Sequence, residues 1–178
     1  ANGHVDDFRH QGLPYRMRPQ VFRNRGEGRF DELPAARVGP YFENEWLGRG
    51  LARLDWNRDR REDIAISHLE DSAALLTNRT ANQHHAISLR LHGRTVDRDA
   101  IGTIVRVQCG GRTQTVQLTA GDGYESSNER RLVISVGLAE SISTLHVSWS
   151  DGTVSDFEDI AVDQDYVLVQ GRPLLTLP

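Results

Sequence analysis

Apolar and polar residues alternate along much of the second half of the chain. The alternation has a period of two, which places successive side chains on opposite faces of an extended strand. Strands with one apolar face and one polar face are typical of antiparallel sheets that bury a single face. The second half is therefore predicted to be all β. The clearest apolar sets are Ile87, Leu89 and Leu91; Val105, Val107 and Cys109; and Leu145, Val147 and Trp149.

Turn-forming residues separate these strands. Gly110-Gly111 predicts a two-residue hairpin turn of the primed type, and Ser150-Asp151-Gly152 predicts a second tight turn. Six or seven short strands at this spacing predict an antiparallel β-sandwich or a small barrel over residues 83–178. The predicted strands are residues 85–91, 103–109, 112–118, 131–136, 143–149, 153–157 and 166–170.

The first half also shows strand patterns and no convincing helical period. Residues 21–24 followed by 26–30 read as a strand, a Gly-containing turn and a second strand, and residues 48–54 and 64–69 as two further strands. The segment 74–78 then repeats the apolar-apolar-x-Asn shape of the first strand, a recurrence typical of propeller blades. Two copies of one short segment do not establish a propeller by themselves, and residues 79–85 read as a domain junction. We therefore predict an N-terminal segment with one repeat unit over residues 1–82, and a second domain over residues 83–178.

Oxygen-bearing side chains recur at alternate positions of a short loop between two of these predicted strands. They belong to Asp55, Asn57 and Asp59, and Asp63 follows them. Ca²⁺ takes about six to eight oxygen ligands, and curled loops supply them from alternate positions. We predict a calcium site held by these four side chains and by the backbone carbonyl of Arg61. Asp and Asn are also frequent in solvated turns, so the spacing alone leaves both interpretations open.

Arginines in the same loop oppose the cation. Arg60 stands where the sharp turn of such loops favours Gly, and an L-residue at positive φ costs about 1 kcal/mol. Arg58 and Arg61 add positive charge beside the carboxylates, which weakens their attraction for a cation. We therefore expect calcium binding of the low affinity found in extracellular modules.

Charge and composition exclude several partners. The net charge of −4 gives no general attraction to nucleic acids or anionic membranes, and no basic stripe with interleaved aromatics occurs. No apolar run approaches the length that spans a bilayer. Cys109 is the single cysteine, so we expect no internal disulfide and a buried thiol. The chain opens at Ala1 without a signal peptide, which indicates a processed product or an excised fragment.

Two other classes of function have candidate residues. A carbohydrate-binding sandwich would hold sugars on exposed aromatic rings such as Trp149, Tyr124 and Tyr166, although Trp149 continues an apolar strand face and favours a core position. A hydrolase would need its nucleophile in a mechanically defined motif, such as a Ser on a strained Gly-x-Ser-x-Gly turn. No candidate stands in such a motif, so we expect no enzymatic activity. The hydrolytic candidates are Ser126, Ser127, His146, the pair Asp97 and Asp99, and the group Asp156, Glu158 and Asp159.

Residues 20–30 and 48–59, which span the first hairpin and most of the acidic loop, together resemble an FG-GAP (VCBS-type) repeat, a blade of an integrin-α-like β-propeller. The resemblance implies calcium in the acidic loop, where Asn57 and Arg60 replace the usual Asp and Gly. It also implies further blades upstream in a longer protein, because a propeller closes with about four blades or more. A lone blade exposes its strand edges, so we expect it to pack on the C-terminal domain or on a neighbouring molecule.

The second half carries a series of short motifs in a fixed order. In this order they resemble the ASPIC/UnbV domain, which follows such repeats at the C-terminus of exported proteins, and the cartilage acidic protein family has the same layout. The resemblance implies a non-catalytic binding or adhesion module, of bacterial type, located outside the cell, on its surface or in the periplasm. No residue pattern identifies its ligand as a particular protein or glycan. The motifs are residues 82–91, 98–102, 110–114, 121–124, 136–138 and 147–152.

Overall fold

Strands make up nearly all of the regular structure. The computed structural model describes residues 2–177. In that range the helical segments are one short α-helix, Ala35–Val38, and 3₁₀ turns at Arg9–Gln11 and Pro40–Glu43. The strands are β1 (Phe22–Gly26), β2 (Arg29–Glu32), β3 (Gly48–Leu54), β4 (Asp63–His68), β5 (Ala74–Leu76), β6 (His85–His92), β7 (Ile104–Cys109), β8 (Arg112–Gln117), β9 (Leu132–Gly137), β10 (Ser141–Ser148), β11 (Val154–Ala161), β12 (Asp165–Val169) and β13 (Leu174–Leu177).

The predicted all-β class is confirmed. Each strand predicted in the second half is present with shifted ends, as β6 to β12. The period-two pattern succeeds there because alternate side chains do become buried; β7, for example, alternates exposed and buried residues along its whole length. β13 is an additional strand that the sequence pattern did not reveal.

Contacts within the described chain define two compact units that are each discontinuous in sequence. The first contains residues 2–52, Ala65–Leu76 and Gly123–Ser126. The second contains Arg53–Ile64, Thr77–Asp122 and residues 127–177. The acidic loop therefore belongs, by its contacts, to the second unit. A division after residue 82 was predicted from sequence motifs, and the contact-based units do not follow a single boundary of that kind.

Two four-stranded sheets form the centre of the second unit. Their strand orders are β11-β10-β7-β8 and β13-β12-β6-β9. Neighbouring strands are antiparallel except β6 and β12, which run parallel with Leu89 opposite Tyr166. The prediction of a wholly antiparallel domain is therefore wrong at this pair. The small-barrel alternative is also wrong, because neither sheet closes on itself.

Inward-facing side chains of both sheets form one hydrophobic core. Leu89 on β6, Val107 on β7 and Leu145 on β10 have no exposed surface. Cys109 and Trp149 are buried in the same core, as the alternation predicted. Full burial of one such side chain contributes about 1.5–3 kcal/mol, so the shared core stabilises the two sheets as a sandwich.

The first unit contains the predicted hairpin of β1 and β2. Its turn places Glu27 and Gly28 at φ values of 52° and 72°, and both strands are exposed along their whole length. β3, β4 and β5 form a separate three-stranded sheet. A propeller blade has four strands in one sheet. The propeller-type repeat therefore stays a prediction.

A stacked aromatic group lies in the first unit. The rings of Tyr41 and Trp46 are nearly parallel, with centroids 5.1 Å apart. His68 Nδ1 lies 2.7 Å from the Ser72 carbonyl oxygen, so this nitrogen carries the proton. His68 Nε2 is then free to accept the Tyr41 hydroxyl at 2.8 Å. Burial raises the pKa of Tyr41 to about 12, and the negative charge of Asp71 adds to the effect.

Candidate functional site

The predicted calcium loop connects β3 to β4, and its two ends are its most buried points. Asp55 is 1% exposed and Asp63 is fully buried. Carboxylates are rarely buried to this extent unless hydrogen bonds or opposite charges compensate the lost hydration. The contacts of Asp55 and Asp63 therefore show which groups compensate the burial of their charge.

Asp55 organises the turn from its centre. Its Oδ1 accepts the backbone N–H of Asp59 at 3.1 Å, and its Oδ2 accepts that of Arg60 at 3.0 Å. Burial raises the pKa of the Asp55 carboxyl, and these two N–H donors act in the opposite direction. The loop therefore curls around a buried carboxylate whose two oxygens each accept a backbone N–H.

Asn57 and Asp59 lie on the same turn. Asn57 Oδ1 accepts the Asp59 N–H at 3.3 Å, and Asn57 Nδ2 donates to Asp59 Oδ2 at 3.0 Å. Asp59 Oδ1 accepts the Arg61 N–H at 3.0 Å. Three of the predicted ligands, Asp55, Asn57 and Asp59, are thus brought together by hydrogen bonds around one bend.

Asp63 closes the loop at its other end. Its Oδ1 accepts the backbone N–H of Asn78 at 2.6 Å, and its Oδ2 accepts that of Trp56 at 3.3 Å. Asp63 therefore ties the end of the loop to its beginning and to the segment after β5. Arg61, whose carbonyl is the fifth predicted ligand, keeps its guanidinium 3.4 Å from Asp59 Oδ2.

Two arginines in the loop adopt left-handed backbone conformations. Arg58 and Arg60 both have φ of 60°, which costs each about 1 kcal/mol. Their guanidinium groups face acids of the sandwich: Arg58 Nη1 lies 2.5 Å from Glu129 Oε1, and Arg60 Nη1 lies 3.6 Å from Asp165 Oδ2. The positive charges of Arg58 and Arg60, which would repel a cation in the loop, are therefore partly balanced by Glu129 and Asp165 outside the loop.

Glu129 also contacts the loop backbone directly. Its Oε2 accepts the Asp55 N–H at 3.0 Å, in addition to the contact of Oε1 with Arg58. The side chain of Arg131 is 7% exposed and lies between Glu129 and Asp165, at 3.5 and 3.6 Å. Its Nη1 donates to Ser88 Oγ at 2.6 Å. A ladder of alternating charges therefore fixes the loop to the sandwich.

Sequence reasoning missed this ladder. Glu129 and Arg131 stand in a run of charged residues before β9, and Asp165 begins β12. Nothing local distinguishes them from solvated surface charges, because their partners lie far away in the sequence. Arg60, at a position that favours Gly, was the available signal, since a strained charged residue implies a compensating contact.

The candidates for other functions have surroundings of their own. Trp149 and Tyr166 are buried, whereas Tyr124 is 67% exposed. Ser126 donates its hydroxyl to the Leu51 carbonyl. His146 Nδ1 lies 2.5 Å from Asp156 Oδ1, and its Nε2 lies 3.0 Å from the hydroxyl of Ser148, a serine the sequence reasoning did not select. His146, Ser148 and Asp156 are thus in contact on the adjacent strands β10 and β11.

The oxygen atoms of the loop are the ligand type that a hard cation prefers. Their arrangement in space meets the needs of such a cation only in part. An ionised carboxylate has about four lone-pair sites, so the N–H contacts above leave acceptor capacity for a cation. Across residues 2–177, however, no three or more His, Cys, Asp or Glu side chains are gathered as a metal site would require. Metal binding by this loop therefore needs Asn57 and carbonyl oxygens in addition to its carboxylates.

Comparison with known families identifies one domain. Residues 93–174 match a family model described as ASPIC and UnbV. The match begins after β6 and ends at the start of β13, which confirms the predicted ASPIC/UnbV domain over most of the sandwich. The FG-GAP repeat and the similarity to the cartilage acidic protein family stay predictions. No curated protein matches the chain. Among the described residues, no helix combines the length and apolar character needed to cross a membrane.

Proposed function

With an ASPIC/UnbV domain at residues 93–174 as the premise, we propose that the chain is a non-catalytic binding or adhesion module of an exported protein. The domain match is the observation that carries this proposal. The resemblance of the first half to a propeller repeat supports a place outside the cell, on its surface or in the periplasm, with further blades upstream. Binding requires no chemical step, and the proposal includes none.

The proposal includes a calcium ion of low affinity in the acidic loop. Asp55, Asn57, Asp59 and Asp63 would supply side-chain oxygens, and Arg61 would supply its carbonyl. When bound, the ion supplies positive charge that offsets the repulsion between the carboxylates and the cost of burying them. Support comes from the tight turn around Asp55 and from the burial of the two carboxylates at the ends of the loop.

Calcium binding in this loop would act on the sandwich as well. Glu129 holds both the Asp55 N–H and the Arg58 guanidinium. Ordering of the loop therefore fixes the orientation of Glu129, and through it that of Arg131. We infer that calcium stiffens the face of the sandwich next to the loop.

Thermal melting with added calcium tests the site. A ligand that binds only the folded state raises the melting temperature as its concentration exceeds its Kd. We expect a rise at millimolar Ca²⁺ for the wild-type chain and its loss in Asp59→Ala. Asp156→Ala, which removes an exposed carboxylate elsewhere in the same unit, should keep the rise. Equal melting temperatures with and without calcium in the wild-type chain would remove the ion from the proposal.

Binding itself is tested with arrays of surface proteins and of glycans, probed with and without Ca²⁺. We expect a selective binder among the proteins. A glycan ligand would need exposed aromatic rings, and the burial of Trp149 and Tyr166 leaves Tyr124 alone among the three candidates. A chain that binds no component of either array in both conditions contradicts the adhesion role.

A further inference from the structure

A buried glutamine follows β12 in the sandwich. Gln170 is 5% exposed, and its backbone N–H donates to the carbonyl of His92, the last residue of β6. Its side-chain carbonyl oxygen, Oε1, accepts three consecutive backbone N–H groups from the turn after β6. The donors are Arg94 at 2.9 Å, Thr95 at 3.0 Å and Val96 at 3.4 Å. Three donors on one carbonyl oxygen polarise that carbonyl strongly.

The amide nitrogen of the same side chain lies against a hydroxyl and a carboxylate. Gln170 Nε2 donates to Thr153 Oγ1 at 2.9 Å and to Asp151 Oδ2 at 3.0 Å. Thr153 Oγ1 in turn donates to Asp151 Oδ1 at 2.7 Å. One carboxylate therefore contacts the hydroxyl with one oxygen and the amide nitrogen with the other.

These contacts supply the oxyanion donors and the proton acceptor that transfer of an acyl group to a hydroxyl requires. Backbone N–H groups about 3 Å from a carbonyl oxygen stabilise the negative charge that develops there when a nucleophile adds. A carboxylate at hydrogen-bonding distance accepts the proton of the attacking hydroxyl. Fixed neighbours react far faster than free ones, because their orientation is already set. The attacked carbon, Gln170 Cδ, is bonded to the nitrogen that Thr153 Oγ1 touches.

We propose that Thr153 and Gln170 join in an intramolecular ester cross-link. Thr153 Oγ1 adds to Gln170 Cδ while its proton passes to Asp151 Oδ1, and the negative charge forms on Oε1. The intermediate then expels Nε2, which receives the proton from Asp151 and leaves as ammonia. One C–O bond replaces one C–N bond, nothing is oxidised or reduced, and the Asp151 carboxylate is regenerated.

The surroundings favour the product. Hydrogen bonds from the Thr153 and Thr95 hydroxyls hold the pKa of Asp151 well below its usual range, so its carboxylate is ionised at neutral pH and has acceptor oxygens for the hydroxyl proton. Thr153 is exposed, which lets ammonia escape to solvent, whereas the buried Gln170 side chain shields the ester carbonyl from water. The cross-link does not depend on calcium or on the adhesion role.

Intact mass spectrometry tests the proposal. After prolonged incubation at neutral pH, the purified chain should be lighter than its sequence mass by about 17 Da, the mass of one ammonia. Trypsin leaves Thr153 and Gln170 in one peptide, residues 132–178, and a second cleavage after Glu158 separates them. The two pieces should remain joined, and hydroxylamine, which cleaves esters, should release them.

Matched variants identify the reacting groups. Thr153→Val should keep the sequence mass, whereas Thr153→Ser retains a hydroxyl and should show the loss. Thr95→Val removes the other hydroxyl on Asp151 but leaves the nucleophile, and should also show the loss. A wild-type chain that stays at its sequence mass overturns the proposal. A loss of about 17 Da that persists in Thr153→Val also overturns it. So does a mass gain of about 1 Da without joined peptides, because that gain marks hydrolysis of the Gln170 amide by water.

Discussion

Glu129 carries more contacts with the acidic loop than its place in a run of charged residues suggests. Both of its oxygens are used, one by the Asp55 N–H and one by the Arg58 guanidinium. The two partners are held at a strained turn, so the carboxylate offsets part of the cost of that turn. This single residue links the stability of the loop to that of the sandwich.

Truncation of Glu129 should therefore destabilise the chain. Glu129→Ala leaves a part-buried backbone N–H and a guanidinium without their acceptor, a loss of about 1–3 kcal/mol. Urea denaturation at neutral pH measures the change in the free energy of unfolding. Glu140→Ala, which removes an exposed acid elsewhere, is the control and should leave the midpoint unchanged. Identical midpoints for both variants would show that the contacts of Glu129 are energetically neutral.

Tyr41 makes the stability of the first unit sensitive to alkaline pH. Its pKa of about 12 in the folded chain exceeds the ordinary tyrosine value near 10. The unfolded state therefore loses this proton first, and the stability contributed by Tyr41 is present below about pH 10 and is lost as the pH rises towards 12.

Tyr41→Phe has no proton to lose at this position and should weaken the alkaline loss of stability. Thermal melting of the two chains between pH 9 and about 12 gives the comparison. Tyr124→Phe, which changes an exposed tyrosine, should retain the wild-type slope. A Tyr41→Phe curve that runs parallel to the wild-type curve over this range contradicts the assignment.

Individual strands of the sandwich were predictable because their burial pattern is local. β7 and β10 alternate in the sequence as they do in the structure, and the Gly110-Gly111 turn between β7 and β8 was recognised from its residue types. β13 was missed because three of its four residues are exposed and show no alternation. Pairing was harder: the parallel contact of β6 with β12 joins segments far apart in the sequence, and the strand pattern contains no information about it.

The β7–β8 hairpin provides a test at the level of the element. Gly110 and Gly111 have φ values of 51° and 72°, as a primed turn requires. A Cβ on Gly111 would meet no atom within 4 Å, so Gly111→Ala introduces backbone strain alone, at a cost of about 1 kcal/mol.

Gly111→Asn is the matched variant, because Asn tolerates the left-handed region. Thermal melting should place it between the wild-type chain and Gly111→Ala. A Gly111→Ala chain that melts at the wild-type temperature would contradict the assignment of a primed turn at this position.

The two compact units do not follow the order of the sequence motifs. The acidic loop lies in the first half of the sequence, yet it belongs to the second unit, where Arg58 contacts Glu129 and Arg60 contacts Asp165. The sequence motifs predicted the ASPIC/UnbV domain that the family comparison supports, whereas the five candidate calcium ligands stay a prediction. It could not identify the charge ladder or the Gln170 cluster, because each depends on side chains that only the fold brings together.

The parallel pairing of β6 and β12 determines how the sandwich responds to mechanical force. A pull on the chain before β6 and after β12 acts at opposite ends of this strand pair. The strands must then slide past each other in shear and break their hydrogen bonds together, whereas antiparallel neighbours pulled from the same end unzip one bond at a time. Forced unfolding is governed by the height of that barrier. Under tension applied at these two ends, the resistance of the sandwich therefore depends on this one pair of strands.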